Sequence, residues 1–127
     1  MGERVGGSVR NLVISTKRPG DATHFPKKGG TCRIHYEGKL ENGDVFDSSR
    51  ARKKALLFKL GEGQLIPGLE EGIAKMSCGQ ICLFTIPPAL GYGVNGYLPV
   101  VPPGATLYYE VELIAFSMED DPEQPKR

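Results

Sequence analysis

The stretch Gly63-Gln64-Leu65-Ile66-Pro67-Gly68-Leu69-Glu70-Glu71-Gly72-Ile73-Ala74-Lys75-Met76 decides the architecture, because it is the one segment of the chain that reads as a helix. Pro67 suits a first helical turn, Glu70 and Glu71 lie near the positive end, and Gly79 follows just beyond, so the spacing predicts a helix over residues 67–76. Its apolar residues Leu69, Ile73 and Met76 fall at i, i+4 and i+7, one stripe that can lie on a concave sheet.

Outward from this helix the pattern changes to period two. Cys32, Ile34 and Tyr36 alternate with Arg33, His35 and Glu37, and Leu107, Tyr109, Val111 and Leu113 repeat the alternation, as half-buried antiparallel strands do. Further strands are expected over 9–15, 45–47, 56–60 and 81–86, each bounded by Gly, Pro, Asn or charged residues. Asn42-Gly43 signals a hairpin, with both residues at positive φ in a primed turn. The expected fold is α+β: an antiparallel sheet of about five to six strands wrapped around one short helix.

A chain of 127 residues suits one domain, read as 9–117, between a Gly-rich segment 1–8 and a charged tail 118–127, both expected to be flexible. Sixteen basic and fifteen acidic residues leave a net charge of +1, which argues against nucleic acid and anionic membranes as partners. No apolar run near the start resembles a signal sequence, none reaches transmembrane length, and Gly6 stands where a myristoylation pattern wants Ser or Thr. A cytoplasmic address is expected. Cys32, Cys78 and Cys82 lack the spacing of a zinc site and read as small hydrophobes in a reducing compartment; no metal or other cofactor is expected.

Several familiar chemistries fail on context. Gly91, Gly93 and Gly96 match a dinucleotide-binding glycine pattern, but the following Leu98-Pro99-Val100-Val101-Pro102-Pro103 cannot open the helix that pattern needs. His24 and His35 have no Ser or Cys in a nucleophile context, and Asp47 and Glu70 are not evidently a carboxylate pair.

Three stretches succeed together: Val45-Phe46-Asp47-Ser48-Ser49, Gly63 through Gly72, and Leu90-Gly91-Tyr92-Gly93. With His35-Tyr36-Glu37-Gly38, Val101-Pro102-Pro103-Gly104-Ala105-Thr106-Leu107 and Val111-Glu112-Leu113, their order and spacing resemble FKBP-type peptidyl-prolyl cis/trans isomerases over about 13–116. The resemblance implies isomerisation of X-Pro bonds in an apolar pocket without covalent chemistry. It makes Tyr36, Phe46, Phe58 and Tyr109 pocket walls, Leu65 and Ile66 the rim, Leu69 the floor, and Val101 a closing side. Tyr92 and the Ile66 backbone N–H would hold carbonyls while Asp47, paired with Arg52, would accept a hydrogen bond or orient dipoles, so that Asp47, Tyr92, Phe46 and Tyr36 are the expected catalytic group. Tyr97 would add to an apolar rim that selects an apolar residue before proline.

The resemblance also implies binding of tacrolimus and rapamycin, with Lys53, Lys54 and the 97–99 loop forming a drug-dependent surface for a phosphatase or kinase. Leu69 replaces the Trp, and Tyr109 the Phe, of the best-known cytosolic members, which implies weaker stacking on a proline ring and lower drug affinity. A rival reading is a non-catalytic module that docks a proline-containing segment of a partner protein. A monomer is expected. Leu98-Pro99, itself an apolar-proline dipeptide, is read as a rigid surface loop before it is read as a weak self-association element.

Overall fold

The computed structural model describes residues 11–117. The expected flexible ends, and the beginning of the first strand at Val9, lie outside the described residues. Among the described residues six strands, β1 (Val13–Arg18), β2 (Thr31–Lys39), β3 (Val45–Ser48), β4 (Leu56–Lys59), β5 (Ile81–Ile86) and β6 (Leu107–Phe116), form one antiparallel sheet with a single α-helix, α1 (Pro67–Ile73). The expected α+β architecture is the observed one.

The sheet runs β1-β5-β6-β2-β3, and β4 pairs with β2 on the edge that β3 also uses. β2 is therefore the centre of the sheet, bonded along one side to β6 and along the other to two short strands. The alternation in sequence becomes two faces: Cys32, Ile34 and Tyr36 of β2 and Leu107, Tyr109, Val111 and Leu113 of β6 are buried. Their inward side chains meet Leu69, Ile73 and Met76 of the helical segment in one core.

Helix α1 is shorter than expected. It ends at Ile73, after which Lys75 N–H bonds to Gly72 O and Met76 N–H to Ile73 O, so the chain leaves in a tighter i→i+3 turn that still buries Met76. The helix lies close to β5 through two glycines four residues apart. A Cβ on Gly68 would stand 2.6 Å from the Ile86 side chain, and one on Gly72 2.6 Å from the Phe84 ring. Glycine there exchanges helix propensity for a short helix-to-sheet distance.

The β2–β3 hairpin forms at Asn42-Gly43, but not with the primed turn. Only Gly43 has positive φ, +93°, and its N–H bonds to Leu40 O while Leu40 N–H bonds to Asp44 O. The loop thus has three residues and a left-handed glycine, and Asn42 caps it instead, its Oδ1 accepting the Asp44 N–H at 2.9 Å. A local side-chain bond wins over the left-handed conformation that Asn also tolerates.

Gly72→Ala tests the close approach. The gain in helix propensity is outweighed by the clash with the fully packed Phe84 ring, and the variant should lose about 1–2 kcal/mol of stability, read from the urea midpoint at unchanged slope.

Candidate functional site

The site begins with an irregularity. Gly38 pairs with Asp47 and Lys39 with Val45, leaving Phe46 as an extra residue in β3. In a regular strand Phe46 and Asp47 would face opposite sides; the bulge turns both inward. Phe46 meets the Tyr109 ring edge-on at 5.7 Å, and Asp47 Oδ2 accepts the Tyr36 hydroxyl at 2.7 Å. Across the sheet the register sets Phe84, Tyr109, Gly38 and Asp47 in one row. Gly38 is needed in that row because a Cβ would stand 2.8 Å from Phe46 Cζ and 2.9 Å from Tyr109 Cε2.

Tyr36 is held from both ends. β3 pairs with residues 37–39 of β2 and β4 with residues 31–34, so the edge at Tyr36 has no strand beside it. Ser49, fully buried, fills the gap: its Oγ accepts the Tyr36 N–H at 2.8 Å and its own N–H donates to Tyr36 O at 3.0 Å. At the far end of the side chain, Arg52 Nη2 donates to the Tyr36 hydroxyl at 2.8 Å while Nη1 donates to Asp47 Oδ1. Burial, and next the bond to Asp47, push the Tyr36 phenol above its ordinary pKa.

The helix supplies the opposite side. Leu65, Ile66 and Leu69, with Leu56 and Gln64, face Tyr36, Asp47, Tyr92 and Tyr109 around a cavity of about 220 Å³. Burial foremost raises the pKa of both Tyr92 and Tyr109. The interaction between their two side chains adds to the rise at Tyr109 and opposes it at Tyr92. All three phenols stay protonated near neutrality. The site offers hydrogen-bond donors, one paired carboxylate and apolar walls, and among the described residues no group of His, Cys, Asp and Glu is arranged to hold a metal.

Most of the residues named from the sequence meet at this cavity, but not all. Phe58 is 4% exposed in the core, opposite Cys32, whereas Leu56, opposite Ile34 and nearer Tyr36, is the β4 residue that lines the cavity. Period two puts both on the inner face; only their position along β2 separates them. Val101 is likewise buried in the core, and Phe46 reaches the site through Tyr109. Tyr97 stands outside the lining, stacked on Tyr92. The loop after Pro87 carries both tyrosines, opening with a 3-10 turn over Pro88–Leu90, and its Leu98–Pro99 bond is cis.

Sequence reading also passed over the function of Glu70. Its carboxylate accepts the N–H of Gly61 through Oε1 and that of Leu65 through Oε2, the latter at 3.1 Å, while Gln64 Oε1 accepts the Lys59 N–H at 2.9 Å. These bonds fasten the loop that presents Leu65 and Ile66. The signal for it was weak, since a first-turn Glu is already explained by the helix dipole.

Comparison with known proteins identifies the family of this fold. Residues 22–114 match the family model for the FKBP-type peptidyl-prolyl cis-trans isomerase. The chain is 45% identical over 103 residues to FK506-binding protein 1 of Rhizopus delemar, covering 81% of this chain and 95% of that one. It superposes on the crystal structure of AtFKBP13 with a TM-score of 0.78 at 36% identity, covering 84% of this chain and 93% of that one.

Glu70→Ala should release the 61–65 loop, with faster amide exchange at Gly61 and Leu65 and a stability loss of about 1 kcal/mol. Glu70→Gln keeps one acceptor oxygen and should change both less. Unaltered exchange at the two amides would show that the carboxylate does not hold the loop.

Proposed function

We propose, for a chain that belongs to the FKBP-type peptidyl-prolyl cis-trans isomerase family, that the cavity between Tyr36, Leu69 and Tyr109 seats a prolyl ring while the preceding amide is twisted above it. Membership makes the protein a peptidyl-prolyl cis/trans isomerase, acting on proline-containing chains. The observation that carries the site assignment is the convergence of apolar walls from α1, β4 and β6 with the Tyr36–Asp47–Arg52 cluster at one opening.

The chemistry asks for little. Rotation about an X-Pro bond is slow because the C–N bond has partial double-bond character, and the barrier falls when resonance is lost. A twisted amide has a less polarised carbonyl and is favoured over the planar form where water is excluded. Leu65, Ile66, Leu69 and Tyr109 provide that apolar surface. Tyr92, which lines the cavity, offers its hydroxyl proton to a substrate carbonyl. Ile66 N–H is the second donor in this reading. Asp47, held by Tyr36 and Arg52, presents a fixed negative charge beside the twisting bond. No step transfers a proton or forms a covalent bond.

The same cavity is our candidate site for tacrolimus (FK506) and rapamycin, a reading supported by likeness to a relative named for FK506 binding. Leu69 in place of a flat ring gives less contact area, so affinity should be reduced rather than lost. Lys53, Lys54 and the exposed Tyr97 and Leu98 then border the bound drug as the surface for a drug-dependent phosphatase or kinase. We place the enzyme in the cytoplasm, because all three cysteines are free and two are buried. Among the described residues no helix is long and apolar enough to cross a membrane.

Acceleration of cis-to-trans conversion in a leucyl-proline peptide, abolished by rapamycin, is the expected result for the native chain. Tyr92→Phe should slow it roughly fivefold, the worth of one hydrogen bond of about 1 kcal/mol, and Asp47→Val should slow it more. Rapamycin binding without acceleration would favour a docking module, and unchanged rates in both variants would remove the assigned functions of Asp47 and Tyr92. At high concentration the sedimentation coefficient should stay that of a monomer; an increase abolished by Pro99→Gly would instead establish pairing through Leu98-Pro99.

A further inference from the structure

Tyr92 sits between two glycines, Gly91 and Gly93, and packs partly buried against the core at the edge of the cavity. Its aromatic contact comes from five residues along. Tyr97 lies with its ring 5.3 Å from that of Tyr92 and only 20° from parallel, outside the cavity and 60% exposed. An exposed ring of this size gains little from burial, yet its backbone is tightly fixed. Tyr97 N–H donates to Val101 O at 2.7 Å, and Val101 N–H returns to Tyr97 O at 2.8 Å. Val101 is itself 1% exposed and anchors this bridge in the core.

The rest of the loop is fastened to the same point. Gly96 N–H bonds to Tyr92 O at 3.0 Å, and Gly104 N–H to Gly93 O at 2.9 Å. Gly96 has φ +69°, and a Cβ there would stand 2.5 Å from Val101 O, so the turn between the two tyrosines closes only with glycine. A rigid backbone thus holds one aromatic ring flat against another that lines the cavity.

Resting on the assignment of Tyr92 as a carbonyl donor, we infer that Tyr97 is a positioning residue for isomerisation: its stacked ring holds the Tyr92 hydroxyl in the place where it meets the twisted amide. Offset-stacked aromatic pairs favour one mutual geometry, and small displacement of a catalytic group is costly in rate. Tyr97 does so without touching the reacting atoms. Its own hydroxyl is not required, because the contact is made by the face of the ring.

A double-mutant cycle tests this with the full-length chain and the leucyl-proline peptide. Tyr97→Ala should lower kcat about two- to tenfold with little change in KM, and Tyr97→Phe should restore the native rate. In a Tyr92→Phe background the Tyr97→Ala effect should vanish, since there is no hydroxyl left to position. Tyr92 ring-proton NMR resonances should also shift in Tyr97→Ala, as the ring current of the stacked partner is lost. Equal losses in both backgrounds, a native rate for Tyr97→Ala, or unmoved Tyr92 resonances would each overturn the proposal. A fully active Tyr92→Phe single variant marks a different failure: it removes the carbonyl-donor reading itself, and the positioning function falls with it.

Discussion

The distance between α1 and β5 is the constraint on which the rest of this structure depends. Gly68 and Gly72 let the helix backbone settle against Ile86 and Phe84, where any Cβ would be too close. Interiors are packed too densely to absorb such a contact without movement elsewhere. With the helix at that depth, Leu69, Ile73 and Met76 fill the concave side of the sheet, and the segment entering the helix carries Leu65 and Ile66 to the lip of a cavity. The apolar surface of the site is thus continuous with the core and shares its rigidity.

The second constraint is electrostatic and begins with the bulge in β3. An acidic side chain facing an apolar cavity is costly unless paired. Asp47 is reached by the Tyr36 hydroxyl on one oxygen and by Arg52 on the other, and Arg52 also bonds to Tyr36. This three-membered cluster keeps a charge at the mouth of the cavity while the walls remain apolar. Ser49 supports it from behind by accepting the Tyr36 N–H that no neighbouring strand reaches, and across the cavity Glu70 likewise accepts the N–H groups of Gly61 and Leu65. In the reading proposed above, the site works by shape and fixed dipoles, which suits a reaction that rotates a bond and breaks none.

Much of the fold was legible because periodicity is local. The alternation in β2 and β6 and the apolar stripe of α1 each follow from burying one face, and each appears where the spacing predicted it. The end of α1 falls three residues before the expected one, since residues 74–76 keep the helical apolar pattern while the bonds of Lys75 and Met76 tighten to i→i+3. The turn at Asn42-Gly43 was misjudged in type, since Asn can either adopt positive φ or cap its neighbour and only the chain as a whole selects between them. At the site, Leu56 and Phe58 are equivalent by alternation, and nothing in their spacing says which stands beside Tyr36.

By itself, then, the sequence determined the α+β class, the inward faces of the strands, the helix and its buried stripe, and, through resemblance over much of its length, the family. These depend on interactions among residues a few positions apart, which a pattern can express. Only the tertiary structure decided that Phe46 and Asp47 share a face, that Gly38 must lack a side chain, that Leu56 lines the cavity, that Glu70 ties down a loop, and that Tyr97 lies on Tyr92. Each of these follows from a bulge, a register or a loop closure that brings distinct segments within a few ångströms, and contacts of that kind are set by how the whole chain packs.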